Sequence, residues 1–198
     1  AEQLIGPPPN TGRFGASVSL SATDAVAVVG ADGHYYYGPG QYGPAQAFVY
    51  RFKEFEWVLE QRLVADDARV DNRFGIATAI DGDQIAVGAD WQDCDLTANC
   101  GAVYLFRFNG KVWVQEQKIG PPESARFSYF GHSVSLLGDT LAIGAFADDC
   151  PKAEACGSVY FYRCHGGPWV LEKTLNAHDP SLSAYFGSAV SLSGEHLL

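Results

Sequence analysis

One pattern of residues recurs along this chain at a nearly constant interval. Each copy opens with a Phe-Gly pair, and successive copies begin 60, 56 and 56 residues apart. A Gly-Ala pair, an apolar run that ends in a basic residue and a Trp-Val pair follow in that order in the complete copies. The copies begin at Phe14, Phe74, Phe130 and Phe186. A fixed period of this size indicates that the chain repeats one supersecondary unit, as solenoids, propellers and arrays do.

Each copy has the pattern of four short strands and no helical periodicity. In the third copy, apolar and small polar residues alternate from Phe130 to Leu136, and an apolar run covers Thr140 to Ala145. Two further strands are predicted from Ser158 to Cys164 and from Trp169 to Leu175. Gly-containing pairs such as Gly138-Asp139 join strands, since they supply the positive φ of tight hairpins. We therefore predict an all-β fold of four-stranded antiparallel blades, a β-propeller.

The period also predicts the domain organisation. The chain has 198 residues, so it holds about 3.5 blades of a single propeller. The first residues, Glu2 to Pro8, match the outer strand at Glu116 to Pro122, and the last residues match the middle of a second strand. The predicted parts are the outer strand of a preceding blade at 1–9, blades at 13–65, 73–121 and 129–177, and the start of a further blade at 185–198. We expect further blades or another copy of the chain to cover the apolar end faces of this arc.

The third copy resembles a known repeat family. Its residues FGHSVSLLGDTLAIGA and GSVYFYR, followed by Trp169, resemble the FG-GAP repeat in a short-hairpin form. This repeat is the blade of integrin-alpha-type β-propellers, and the resemblance covers essentially the whole chain. It implies a propeller fold, with adhesion or scaffold work through the loops of one face. The resemblance is specific for fold and much less so for function, because one fold hosts many functions.

Integrin-type blades often have an Asp/Asn-rich calcium loop between their first two strands, and this chain lacks it. The connection is only a tight turn, Asp81-Gly82-Asp83 in the second copy and Gly138-Asp139 in the third. Calcium takes six to eight oxygen ligands, which turns of this length do not offer. The sequence therefore predicts no metal site and no cofactor.

Four of the five cysteines form two pairs with the same spacing. Cys94 and Cys100 are six residues apart, and Cys150 and Cys156 repeat them one period later, between the second and third strands. A zinc site is the alternative, but the spacing differs from Cys-x2-Cys and no His accompanies the pairs. We predict two disulfides within these pairs, and hence an extracellular, cell-surface or secretory-lumen protein. Cys164 is either a small buried apolar residue or the partner of a cysteine outside this sequence.

Charge and hydropathy argue against two classes of partner. The formal net charge is -10 and the basic residues are scattered, so we predict no nucleic-acid partner. No apolar stretch approaches the length of a transmembrane helix, so we predict no membrane insertion.

One short segment has a partial likeness to a catalytic motif. Gly131-His132-Ser133-Val134-Ser135 resembles a nucleophile elbow, which is a strained turn between a strand and a helix. Its final Gly is missing, and its predicted position is within a strand. The residues that correspond to Ser133 in the other copies are Ser17, Ala77 and Ala189. We therefore predict no catalytic residue and no enzymatic activity in this chain.

The long and variable segments all fall at one end of the predicted blades. Connections in an antiparallel meander alternate ends, so the loops between second and third strands share a face with the links between blades. Loops on a rigid scaffold often bind ligands, and clustered Tyr residues combine apolar area with a hydroxyl. The alternative is a solvated rim, with Tyr rings filling the space of an absent disulfide. The predicted ligand-face residues are His34, Tyr35, Tyr36, Tyr37, Tyr42, Trp91, Asp93, Asp95 and Asp149.

Together these features predict a non-catalytic extracellular interaction or structural module, for adhesion or scaffolding. Its predicted partner is a protein or a glycan on the loop face. A carbohydrate-binding propeller lectin is the first alternative. An accessory propeller domain of a larger secreted enzyme is the second.

Overall fold

The computed structural model describes residues 12–21, 23–33, 45–69, 71–94, 97–122, 127–150, 154–178, 181–194 and 196–197. Within these ranges the chain forms strands and no helix, so no helix there is long and apolar enough to cross a membrane. In chain order the strands are β1 (Phe14–Ser21), β2 (Val26–Ala31), β3 (Gln46–Lys53), β4 (Glu56–Leu63), β5 (Ala77–Asp81), β6 (Gln84–Ala89), β7 (Ala102–Phe108), β8 (Trp113–Ile119), β9 (Phe130–Leu137), β10 (Thr140–Ala145), β11 (Ser158–Arg163), β12 (Val170–Asn176), β13 (Leu192–Ser193) and β14 (His196–Leu197).

The strands form three four-stranded sheets, one for each complete copy of the repeat. Their hydrogen-bonded orders are β1-β2-β3-β4, β5-β6-β7-β8 and β9-β10-β11-β12, and every neighbouring pair is antiparallel. The short strands β13 and β14 pair with each other in the fourth copy. Three successive antiparallel meanders of this kind are blades of a β-propeller, so the predicted fold class is confirmed.

The core lies between blades. All residues of β2 are buried, and only the first residue of β6 and of β10 is half-buried. One cluster joins Val28 of the first blade to Ile85 of the second, and another joins Val103 of the second to Leu141 of the third. The second strand of the middle blade, β6, is therefore apolar on both faces because the first blade covers one face and the third blade covers the other.

The Gly-Ala pair at the end of each second strand marks a close approach of two blades. A Cβ atom at Gly88 would overlap the carbonyl oxygen of Gly131 in the next blade. The same relation holds in the pairs Gly30 with Gly75 and Gly144 with Gly187. The Gly of the Gly-Ala pair and the Gly of the Phe-Gly pair therefore recur together because they form one backbone contact between blades.

Candidate ligand-binding face

The antiparallel order of each blade places two kinds of connection at opposite ends. We define the turn face by the hairpin turns at described residues 23–25, 54–55, 82–83, 109–112, 138–139 and 164–169. We define the loop face by the opposite end, at described residues 12–16, 32–33, 64–69, 71–76, 90–94, 97–101, 120–122, 127–132, 146–150, 154–157, 177–178 and 181–188.

Each copy begins with one residue in the left-handed region, immediately before the Phe of the Phe-Gly pair. The φ angles are 47°, 57°, 54° and 55° at Arg13, Arg73, Tyr129 and Tyr185. Each of these residues accepts, at its carbonyl oxygen, a hydrogen bond from the backbone N–H three residues later. A repeated tight turn thus positions one such residue per copy on the loop face, and its chemistry changes from Arg to Tyr along the chain.

The two arginines belong to an ion network with two fully buried carboxylates. Arg13 Nη1 donates to Asp32 Oδ2 at 2.8 Å, and Arg73 Nε donates to the same oxygen at 3.4 Å. Arg73 Nη1 also donates to Asp90 Oδ2 at 3.1 Å. The side chains of Asp32 and Asp90 are 0% exposed, and burial of a carboxylate is costly unless cations pair with it. Arg73 is therefore fixed between the residues that follow β2 and β6.

Two ring side chains contact this ion network. The guanidinium carbon of Arg73 lies 4.9 Å from the centre of the Trp91 ring, which is a cation–π contact. His132 Nδ1 lies 2.8 Å from Asp90 Oδ2 and so joins the third blade to the second. Asp90 Oδ1 forms no hydrogen bond within the described part of the chain. Trp91, a predicted ligand-face residue, thus lies against a network that links all three blades.

In the third blade, aromatic residues replace the ion pairs. Phe146 has the repeat position of Asp32 and Asp90, and Tyr129 has the repeat position of Arg73. The rings of Tyr129 and Phe146 stack, with centres 5.0 Å apart and planes 13° apart. A stacked pair of rings therefore takes the place of an arginine–carboxylate pair.

We define the aromatic group as Phe127, Tyr129, Phe146 and Tyr185. Phe127 stacks on Tyr129 at 6.3 Å, and Tyr185 meets Phe146 in a T-shaped contact at 5.7 Å. The His132 ring lies 4.6 Å from the Phe146 ring and connects the aromatic group to the ion network. Phe127 is 39% exposed and Tyr185 is 48% exposed, so this group presents rings to solvent.

Disulfides close two of the loops on this face. Cys94 pairs with Cys100 and Cys150 pairs with Cys156, as the cysteine spacing predicts. Each bond joins residues that are six apart, within the connection between the second and third strands of its blade. Cys164 is buried and is not part of a disulfide within the described residues.

Two predicted ligand-face carboxylates also fold their own loops. Asp93 Oδ1 accepts a hydrogen bond from the Asn99 N–H at 3.0 Å, and Asp149 Oδ1 accepts one from the Ala155 N–H at 2.8 Å. Asn99 and Ala155 have left-handed φ angles of 50° and 49°. One oxygen of each carboxylate therefore caps the turn that the disulfide closes.

Buried tyrosine hydroxyls anchor two segments of the loop face from the core, the link after β4 and the connection after β10. Tyr104 donates to Asp67 Oδ1 at 2.7 Å, and Tyr160 donates to Asp148 Oδ2 at 2.5 Å. Burial first, and these carboxylates second, raise the pKa of both phenols far above its ordinary value. Burial also opposes ionisation of Asp67, but hydrogen bonds from Lys118 and Tyr104 outweigh it and hold the pKa of Asp67 below its usual range. Both phenols therefore stay protonated and keep donating at neutral pH.

The hydroxyl of the partial nucleophile motif contributes to blade packing. Ser133 Oγ donates to the carbonyl oxygen of Gly187 in the next copy at 2.8 Å. Ser17 Oγ makes the equivalent bond to Gly75 at 2.9 Å. The neighbouring His132 faces Asp90 instead. The side chains of Ser133 and His132 thus have separate partners in two different blades.

The structure brings together residues that sequence reasoning does not single out. Of the predicted ligand-face residues, Trp91, Asp93 and Asp149 are described, whereas His34, Tyr35, Tyr36, Tyr37, Tyr42 and Asp95 lie outside the described residues. The missed residues are Arg13, Asp32, Arg73, Asp90, Phe127, Tyr129, His132, Phe146 and Tyr185. A signal for them is present, since the residue before each Phe-Gly pair and the residue after each Gly-Ala pair change together from Arg with Asp to Tyr with Phe.

Metal binding has no candidate group in the described ranges. Over those residues, no three His, Cys, Asp or Glu side chains are grouped so that they could hold an ion. The carboxylates of the ion network are instead neutralised by arginine.

A comparison with protein-family models identifies the repeat. A model of the FG-GAP repeat matches the chain at residues 57–106 and 113–162, which together make up just over half of it. Each matched segment begins at the Trp of one outer strand and ends in the third strand of the next blade. A search of curated proteins gives no match.

Proposed function

Because this chain belongs to the FG-GAP repeat family, we propose that it is a non-catalytic extracellular module for adhesion or scaffolding, which binds its partner through the loop face. One observation carries this proposal. A continuous set of contacts runs across the loop face from Trp91 through Arg73, Asp90 and His132 to the aromatic group. Exposed rings of that group lie beside polar side chains, a composition that is common on surfaces that bind partners.

The support beneath this surface is rigid, which favours binding. Buried ion pairs fix Arg73, and disulfides and capping carboxylates fix the adjacent loops. A surface that is ordered before its partner arrives loses little conformational entropy on binding. Rigid blades that present variable loops therefore suit an interaction module.

The chemistry of the loop face favours binding over catalysis. A serine nucleophile needs an adjacent base, yet Ser133 donates to the Gly187 backbone and His132 faces Asp90. Asp90 itself is buried and shared between Arg73 and His132. These groups support one another and the blade junctions, in keeping with a non-catalytic role.

The disulfides support an extracellular location. Bonds of this kind persist in oxidising compartments and are rare where thiols are kept reduced. Both disulfide-closed loops lie on the loop face, so the bonds restrict the conformations of the surface to which the proposed partner binds.

Immobilisation in two opposite orientations tests the proposal. Lys111→Cys places a biotin on the turn face, and Glu154→Cys places one on the loop face, both at exposed positions. Each protein is bound to a surface at equal density, and attachment of cells from the source organism is counted. We expect attachment when the protein is linked through position 111, because the loop face then points outward. Linkage through position 154 should reduce attachment to that of a bare surface.

Two outcomes would contradict this proposal. Equal attachment in both orientations would show that the loop face is not the binding surface. Attachment only when the protein is linked through position 154 would assign binding to the turn face.

A further inference from the structure

We propose that the aromatic group, together with Arg73 and His132, is a binding site for an uncharged carbohydrate. This assignment rests on the proposed function, because it names the ligand class of the same loop face. The site would hold sugar units against exposed rings and bind their hydroxyls with the polar groups at the border of those rings.

The rings and the polar groups form one connected surface. Phe127, Tyr129 and Phe146 are stacked in sequence, and Tyr185 adds a ring at 67° to Phe146. His132 contacts Phe146 on one side and Asp90 on the other. A ligand on this surface would therefore meet aromatic carbon directly beside the imidazole of His132.

The hydrogen-bonding capacity of this surface is not consumed by the fold. Neither the Tyr129 nor the Tyr185 hydroxyl forms a hydrogen bond within the described part of the chain. Arg73 uses Nε and Nη1 for the buried carboxylates, and its Nη2 has no acceptor among the described residues. A phenol both donates and accepts, whereas a guanidinium only donates. The surface thus offers both kinds of group to a ligand.

The charge of the site favours an uncharged ligand. Arg73 lies between Asp32 and Asp90, whose side chains are 0% exposed. These two buried carboxylates neutralise the positive charge of Arg73. The whole chain has a formal net charge of -10, which repels anions at long range. No buried carboxylate of this network reaches the surface to attract a cation. The hydrogen-bonding groups beside the rings therefore have no net charge, and the site does not select for an ion.

A carbohydrate matches this combination better than a proline-rich peptide. Proline-rich segments also bind aromatic surfaces, but proline has no N–H and its backbone offers acceptors only. Sugar hydroxyls donate and accept, so they can satisfy the phenols as well as the guanidinium. The carbon-bound hydrogens of a sugar ring suit the flat apolar face of an aromatic side chain.

Titration calorimetry of the 198-residue chain tests this assignment. The probes are short neutral oligosaccharides of glucose, xylose, mannose and galactose, with an oligogalacturonate and a proline-rich peptide as alternatives. We expect at least one neutral oligosaccharide to bind. Tyr185→Ser should weaken that binding at least about tenfold, as loss of an aromatic anchor does.

Phe55→Ser provides the matched control on the turn face. Phe55 has a left-handed φ of 70° and so shares the backbone conformation of Tyr185, and at 94% exposed it presents its ring fully to solvent. The control should bind the oligosaccharide as the unchanged protein does. His132→Gln keeps a polar side chain but removes the ring that contacts Phe146, and should weaken binding less than Tyr185→Ser.

The remaining outcomes overturn the assignment. Binding of the peptide or the oligogalacturonate alone would replace the ligand class and leave the loop face as the binding surface. Oligosaccharide binding that is unchanged in Tyr185→Ser would place the ligand elsewhere. If every probe fails while cell attachment still depends on orientation, the carbohydrate assignment fails alone. If attachment does not depend on orientation, the proposed function fails as well.

Discussion

Gln117 in β8 forms two hydrogen bonds with the backbone of Trp169 in the following blade. Gln117 Nε2 donates to the Trp169 carbonyl oxygen at 3.1 Å, and the Trp169 N–H donates to Gln117 Oε1 at 2.8 Å. Gln61 in β4 makes the same pair of bonds with Trp113, both at 2.7 Å. One amide side chain thus satisfies two backbone groups in its neighbour. The outer edges of adjacent blades are therefore linked directly, in addition to the contacts of their cores.

The third blade has a different residue at this position. Lys173 in β12 corresponds to Gln61 and Gln117. An ammonium group donates but cannot accept, so Lys173 cannot form both bonds of the pair. The outer edge of the third blade is chemically distinct from the edges of the first two.

Replacement of Gln117 by Leu should lower the free energy of unfolding by about 1–3 kcal/mol, because two backbone groups of Trp169 lose their partner together. Trp169 is 7% exposed, so water does not readily replace the amide. Denaturant titration of the chain measures the change. Lys173→Leu is the control at the same repeat position and should change stability by less than about 0.5 kcal/mol. Equal losses in the two variants would show that the paired bonds contribute nothing specific.

Gly88→Ala should be strongly destabilising, by about 3 kcal/mol, since its Cβ would overlap the carbonyl oxygen of Gly131 and force two blades apart. Gly120→Ala is the matched control, because no atom lies within 4 Å of the position that its Cβ would occupy. Thermal unfolding monitored by circular dichroism compares the two. If the Gly88→Ala and Gly120→Ala proteins have the same melting temperature, the close backbone contact is refuted.

Each disulfide should stabilise the fold by about 2 kcal/mol, given the short loop that it closes. We expect each of two double variants to lower the free energy of unfolding by that amount: Cys94→Ser/Cys100→Ser and Cys150→Ser/Cys156→Ser. The two losses should add when all four substitutions are combined, because the disulfides lie in different blades. A reducing agent should then have no effect on the combined variant. Peptide mapping without reduction provides the direct check, and crossed pairing or free thiols at these positions would contradict the structure.

Glu60 should contribute to the loss of stability in acid. A hydrogen bond from Arg51 is the main cause that lowers the pKa of Glu60 below its ordinary value of 4.5, with a further bond from the Trp113 indole N–H. Because the folded-state pKa is depressed, this stabilisation is present above pH 4.5 and is lost as the pH falls through the folded value. Glu60→Gln should therefore be less stable at neutral pH, and its difference from the unchanged protein should shrink in acid.

Denaturation midpoints measured from neutral to acidic pH decide this prediction. Glu56→Gln is the control, since Glu56 is an exposed glutamate of the same strand that forms no ion pair within the described residues. A Glu60→Gln protein whose stability runs parallel to that of the unchanged protein at every pH would contradict a linked ionisation.

The repeat itself makes the fold predictable from sequence. The Phe-Gly and Gly-Ala pairs are spaced by the length of one blade, and their glycines form the backbone contact between blades, as at Gly88 and Gly131. The cysteine pairs are predictable for the same reason, because each falls in an equivalent loop. Backbone constraints of this kind repeat with the fold and so leave a periodic pattern.

The candidate site is much less predictable because its residues depart from the period. Phe146 follows a Gly-Ala pair where the earlier copies have Asp, and an isolated Phe at that point carries no strand or turn signal. Its contact with Tyr129 depends on the left-handed turn before the Phe-Gly pair, which places a non-glycine residue in an uncommon conformation. Sequence reasoning therefore favours the Tyr-rich segment around Tyr36 as the ligand-binding site, and that segment lies outside the described residues.

The force needed to detach single beads from cells of the source organism tests the central claim most directly. Beads are coated at equal density with the unchanged chain, with the Tyr129→Ser/Tyr185→Ser variant or with Phe55→Ser. Beads coated with the Tyr129→Ser/Tyr185→Ser variant should detach at the same force as uncoated beads. Beads coated with Phe55→Ser should need the same force as beads coated with the unchanged chain, because only the double variant removes rings from the loop face. Full detachment force in the Tyr129→Ser/Tyr185→Ser variant, or an equal loss in Phe55→Ser, would contradict binding through the loop face.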